Sequence, residues 1–208
     1  MSDLSRRDVL RRLALTLTAT GLIDRVAAEE VHLMAAQAAG GGTYTPKTFS
    51  AAQYKTLERL TDIIIPVEHG ARGALGPVEN GAPGAVAAGA AAWIDMISSE
   101  NDELKASYAK GFAWLDGTMK GRGAADFVSA TAAQQTELVD LIAYRRNASP
   151  ELTPGIEFFT LVRRMTVDAF YTSPIGIKDI DYRGNTPIGS YPAPTESIAY
   201  ALKRSPLG

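Results

Sequence analysis

The 208-residue chain contains no cysteine. That single absence excludes disulfides, thiolate catalysis, cysteine-ligated iron–sulfur clusters and c-type haem attachment. It also leaves folding indifferent to the redox state of the compartment. Histidine is nearly absent too, with two residues, His32 and His69. Neither has a partner at metal-ligand spacing, so no zinc site is expected. A solvent-exposed imidazole is the expectation for each, in the N-terminal segment and in a glycine-rich loop. There is no basic excess: the formal net charge is −2, which leaves nothing to neutralise phosphates and argues against a nucleic-acid partner. No apolar run approaches the roughly 18 residues of a membrane-spanning helix. The glycines follow no dinucleotide-binding or phosphate-binding pattern, and no G-x-S-x-G nucleophile elbow occurs.

What is present begins at the N-terminus. Ser5-Arg6-Arg7-Asp8-Val9-Leu10-Arg11 is close to a twin-arginine export signal, and Leu13 to Ile23 resembles a short, weakly apolar signal-peptide core. Ser5, Arg6, Arg7 and Leu10 are the residues that carry this reading. Such a signal exports folded proteins, which implies that this chain, or something bound to it, matures in the cytoplasm and ends in the periplasm. Val26-Ala27-Ala28 is a poor cleavage site. The competing reading is an amphipathic N-terminal helix with a chance arginine pair. If retained, residues 3–38 are expected as helix. Gly40-Gly41-Gly42 then opens a linker over 39–48, and 49–208 forms the domain.

The domain reads as all-α, with about five core helices, long loops and an extended Pro/Gly/Tyr-rich C-terminal tail. Ser50-Ala51-Ala52-Gln53 is a capping box, followed by Tyr54, Leu57, Leu60 and Ile64 on one face and stopped by Pro66. Residues 67–80 read as a surface loop. A second helix is expected from Pro83 to about Ser98, small-residued until Trp93, and open to close approach by a helix or a partner. A third spans about Asp102 to Thr118. Thr131-Ala132-Ala133-Gln134 repeats the capping box and opens a helix to about Asn147. Thr153-Pro154 opens the last long helix, with Phe158, Phe159, Val162, Met165 and Phe170 inward. Between Ser173 and Pro194 lie four prolines and four further glycine or asparagine positions, so an extended tail is expected, then a short helix over about Thr195 to Lys203.

Chemistry-bearing groups do not converge in this pattern. The acids at Glu100, Asp102 and Glu103 suit a helix start. Arg145-Arg146 and Arg163-Arg164 could bind an anion, but basic pairs on a helix surface are usually solvated or ion-paired. An exported helical protein without a visible reaction centre reads as a subunit, an escort or a binding module. A free-standing exported module for a small molecule is the alternative, and a small enzyme with an unrecognised site a third reading.

Several ordered stretches then point to one family: Leu60-Thr61-Asp62-Ile63-Ile64-Ile65-Pro66, Gly81 to Ala85 leading to Trp93-Ile94-Asp95, Gly111 to Asp116, Asp126-Phe127-Val128, Glu157 to Thr166 running into Ala169 to Pro174, Asp181 to Asn185, and Ile188 to Pro192. Over residues 45–195 the chain resembles the gluconate 2-dehydrogenase subunit 3 family. The resemblance implies a non-catalytic small subunit with no cofactor of its own. The partner it implies is a large FAD-binding catalytic subunit of the glucose-methanol-choline type that oxidises a sugar, polyol or sugar acid; some complexes add a cytochrome c subunit. It further implies stabilisation and twin-arginine escort of the large subunit to the periplasm, with membrane association through the complex. A partner interface is expected on the tail, at Tyr171, Ser173, Pro174, Tyr182, Gly184, Asn185, Gly189, Tyr191 and Pro192. Proline-rich segments order at low entropic cost and tyrosines are efficient anchors. Packing of the tail on its own core is the competing expectation.

Overall fold

A computed structural model of the chain describes residues 31–33, 44–67, 72–73, 76–77, 83–182 and 194–205. The fold is all-α. Five helices build the core: α1 (Ala51–Ile64), α2 (Ala90–Ser99), α3 (Asp102–Gly121), α4 (Ala132–Ile142) and α5 (Thr153–Thr172). Two more follow, α6 (Pro174–Asp179) and α7 (Thr195–Arg204). None of the described helices is long and apolar enough to cross a membrane.

The helix starts follow from their caps. Ser50 accepts from the Gln53 N–H at 3.2 Å while the Gln53 side chain accepts from the Ser50 N–H at 3.0 Å. Thr131 and Gln134 do the same for α4 at 3.3 and 3.0 Å. Each box satisfies two backbone donors that a helix start otherwise leaves open. Asn101 caps α3 through the Leu104 N–H at 2.7 Å, with Asp102 and Glu103 in the first turn favouring the positive end of the dipole.

α5 is the hub, packing on α1, α2, α3, α4 and α6. Its inward residues Ile156, Phe158, Phe159, Val162, Met165, Ala169 and Phe170 join Leu57, Leu60, Trp93, Ile97, Tyr108, Phe112, Leu115, Leu138 and Ile142 in one core. The small residues of α2, Ala90, Ala91 and Ala92, are buried within it. Gly111 admits the Phe158 ring and Gly155 admits Trp114; an added Cβ would meet those rings at 1.9 and 2.2 Å. These glycines set how closely α3 and α5 approach.

Three boundaries differ from the pattern reading. The second helix begins at Ala90 rather than Pro83, because Gly89 is left-handed at φ 70° and the Ala85 N–H bonds the Ile65 carbonyl at 2.8 Å. Residues 83–89 therefore close the preceding loop instead of extending the helix. Within that loop Arg72–Gly73 pairs antiparallel with Gly76–Pro77, too short a bridge to leave an alternating signal. The fourth helix stops at Ile142 rather than near Asn147. Tyr144 is extended, a 3-10 turn spans Arg145–Asn147, and the Asn147 amide donates to the Leu141 carbonyl at 2.9 Å. The third correction is α6, which replaces the start of the expected extended tail. The short terminal helix forms over Thr195–Arg204 with no buried residue.

Candidate partner-docking face

The outer side of α5 carries Arg164, Val167 and Tyr171 at one-turn and two-turn spacing, all exposed, which places them on a single stripe. Val167 is 39% and Tyr171 44% exposed, in a helix whose opposite face is fully buried. Between them and the core lies Asp168, whose carboxyl burial pushes up and the Arg164 charge partly offsets. Arg163 sits over the Phe159 ring at 6.0 Å.

The chain then turns through Ser173. The Ser173 hydroxyl donates to the Phe170 carbonyl at 2.6 Å and accepts from the Gly176 N–H at 3.0 Å. It ends one helix and caps the next, with Pro174 in a first-turn slot where its missing N–H costs nothing. Gly176 lies against the Phe170 carbonyl, where a Cβ would come within 2.0 Å. α6 ends with the Asp181 N–H on the Lys178 carbonyl at 3.1 Å and the Tyr182 N–H on the Ile177 carbonyl at 3.0 Å. Asp181 is left-handed at φ 48°, the conformation this helix-ending motif requires and glycine usually fills. Ile180 and Tyr182 are exposed at this corner. The α5–α6 end thus presents Val167, Tyr171, Ile180 and Tyr182 outward.

Of the tail residues expected to meet a partner, Tyr171, Pro174 and Tyr182 are exposed, whereas Ser173 is 1% exposed and held inside the fold by its two hydrogen bonds. Gly184, Asn185, Gly189, Tyr191 and Pro192 lie outside the described residues, as do Ser5, Arg6, Arg7, Leu10 and His69.

His32 departs from the exposed imidazole expected of it. Val31 is fully buried, and the His32 ring lies 5.9 Å from the Trp93 ring. Its Nε2 is 3.2 Å from the Thr172 hydroxyl. Burial lowers the imidazole to about 4, against a smaller upward pull from the Ala169 carbonyl, so the ring is neutral at neutral pH.

Two polar hubs lie outside the residues singled out in the sequence as a site. Asp95, fully buried, accepts from the Tyr44 hydroxyl at 2.8 Å and from the Lys47, Thr48 and Phe49 N–H groups at 2.7, 3.0 and 2.9 Å. Residues 44–49 are thereby fastened to α2. Burial raises the Tyr44 phenol well above its usual range, and the Asp95 hydrogen bond and charge add to this. Phe49 completes the attachment by joining Tyr108 and Phe112 at 5.1 and 5.4 Å. The buried Gln135 accepts from Arg59 at 2.7 Å and donates to the Phe127 carbonyl at 2.8 Å, tying α1 to the loop before α4. An acid inside the apolar run Trp93 to Ile97 was the one available hint of the first hub.

Two open cavities flank Glu157. One, about 420 Å³, lies between α3 and α5 and is lined by Ser107, Lys110, Gly111 and Phe158. The other, about 400 Å³, is lined by Arg145, Ala148, Thr153, Ile156 and Thr160. The hydroxyls that line them donate to backbone carbonyls, Ser107 to Glu103 at 2.9 Å, Thr153 to Ser149 at 2.7 Å and Thr160 to Ile156 at 2.7 Å. Among the described residues no three histidines or acids gather as a metal site. The Arg145-Arg146 pair diverges: Arg146 stacks on Tyr144 at 4.4 Å while Arg145 lines the second cavity.

Comparison with known proteins adds one finding. The family described as Gluconate 2-dehydrogenase subunit 3 matches residues 51–192, from the start of α1 to just before α7. No curated protein and no solved structure matches the chain.

Proposed function

Because the chain belongs to the gluconate 2-dehydrogenase subunit 3 family, we propose that it is the non-catalytic small subunit of an FAD-dependent sugar or polyol dehydrogenase. It stabilises a large catalytic subunit of the glucose-methanol-choline type and escorts it through twin-arginine export to the periplasm. The family match carries this reading; the finer parts rest on residue chemistry. Ser5, Arg6, Arg7 and Leu10 supply the export signal. The exposed Val167, Tyr171, Ile180 and Tyr182 supply rigid apolar anchors of the kind that dominate tight interfaces. FAD, the reacting carbon and the electron acceptor belong to the partner, and a cytochrome c subunit is a further partner of the assembled complex.

The test is fractionation of cells that co-express the large subunit. With the native chain, dehydrogenase activity is expected outside the cytoplasmic membrane. With Arg6→Lys and Arg7→Lys together it is expected to stay in the cytoplasm, and unchanged external activity overturns the escort role. Substrate turnover by the purified chain alone would overturn the non-catalytic role. The two cavities give the competing reading, a small-molecule binding module, its foothold. That reading predicts a ligand-dependent rise in Tm of the isolated chain.

A further inference from the structure

We infer that residues 31–33 are a latch of the folded domain rather than part of a removable leader, so that any proteolytic removal of the export signal is confined to bonds before Val31. The inference extends the proposed export role, but the latch itself stands on contacts. Val31 is 0% exposed and belongs to the hydrophobic core. His32 reaches two helices at once, its ring on Trp93 of α2 and its Nε2 at 3.2 Å from the Thr172 hydroxyl at the end of α5. Thr172 is itself fixed, donating to the Asp168 carbonyl at 2.6 Å. Trp93 is fully buried, and His32 forms part of its cover. Removing these three residues exposes an indole and the Val31 socket, and takes the imidazole away from the Thr172 hydroxyl at the end of α5. Apolar surface returned to water on that scale destabilises a domain measurably.

A leader cut within or after the latch would therefore leave a weakened domain at the face where the partner is proposed to sit. A cut before Val31 leaves the latch whole, and the poor cleavage site read at Val26-Ala27-Ala28 lies upstream of it. The root of the leader is then held only when α2 and α5 are packed, which suits a pathway that exports folded cargo.

The experiment compares the full chain with variants lacking residues 2–28 and 2–38, following Tm and tryptophan emission. The chain has two tryptophans. Trp114 packs on Gly155, about 25 Å along α5 from Thr172, so a red shift reports Trp93. The shorter deletion is expected to melt with the full chain. The longer one is expected to lose about 5 °C or more with red-shifted emission. Full-length Val31→Ala and His32→Ala read the same contacts without deletion, and each is expected to lower Tm by about 3–6 °C. Unchanged Tm in the longer deletion, or in both point variants, overturns the latch. N-terminal sequencing of the exported chain is expected to find a start at or before Val31, and a stable exported chain beginning after Leu33 overturns the inference. If the chain never leaves the cytoplasm, the export proposal fails while the melting experiments still decide the latch.

Discussion

Asp95 shows how one side chain can organise a segment that carries no pattern of its own. A buried carboxylate is tolerated only when donors satisfy it, and three of its four donors are backbone N–H groups of residues 47–49. Asp95→Asn presents an NH₂ where two of those donors converge. It is expected to cost about 3 kcal/mol, read as a lower midpoint in urea with an unchanged m-value. Beyond the acid in an apolar run, nothing in the sequence announced this hub or Gln135, because a buried polar residue is identified by what surrounds it, and residues 44–49 and Arg59 come from distant chain. His32 was misread for the same reason: nothing near it in sequence announces Trp93 or Thr172. Its pH consequence has a definite sign. Unfolded, the imidazole titrates near 6.5; folded, near 4. Above pH 6.5 it is neutral in both states and its contribution is complete. Between 6.5 and 4 the unfolded chain takes up a proton that the native state refuses, so stability falls with falling pH and then levels off. Denaturant melts at pH 7.5, 5.5 and 4.5 should show a shallower decline for His32→Gln than for the native chain, and identical declines would contradict the half-buried, neutral imidazole.

At the scale of elements, the helices that were legible are those with chemical punctuation and three or more turns. Ser50, Thr131 and Pro154 marked the starts of α1, α4 and α5, and the inward aromatics of α5 fell at helical spacing. α6 was missed although Ser173-Pro174 offers the same cap and first-turn proline, because six residues are too few for periodicity to register amid glycines and prolines. The start of α2 was misplaced because alanine favours helix wherever it occurs, whereas the break is set by Gly89 and by a long-range bond to Ile65. Gly176 tests this level. Its hydrogen faces the Phe170 carbonyl where a Cβ would lie 2.0 Å away, so Gly176→Ala cannot keep α6 seated. A loss of about 2 kcal/mol or more is expected, with faster amide exchange over 174–182 and little change in α1 or α4. Uniform loss of protection would contradict a local role.

For the whole molecule, all-α architecture and family membership were both readable from ordered short motifs, because those motifs sit on the helices that build the core. The tail was only partly readable. The same composition that marks a segment as extended also suits a capped turn, and the burial of Ser173 beside exposed Tyr171 and Tyr182 depends on how α5 meets α6. The docking proposal separates here from stability. Tyr171→Asp with Tyr182→Asp should lower the Tm of the isolated chain by only a few degrees, through loss of the edge contact of Tyr171 on Phe170 at 5.1 Å, a pair worth about 0.5–1.5 kcal/mol. The same pair should weaken binding to the large subunit at least about tenfold, by loss of anchors that cost on the order of 2 kcal/mol each at an interface centre. A double variant that binds normally places the interface elsewhere.

The central claim is that this chain works as the clasping subunit of a larger flavoprotein. It is tested most directly by affinity purification of the chain from cells that also express the large subunit, followed by size-exclusion chromatography with flavin absorbance recorded across the profile. Co-elution with a yellow catalytic subunit, persisting through high and low salt, is the predicted result. Elution of the chain alone, colourless and at its own 22.1 kDa mass, would contradict it.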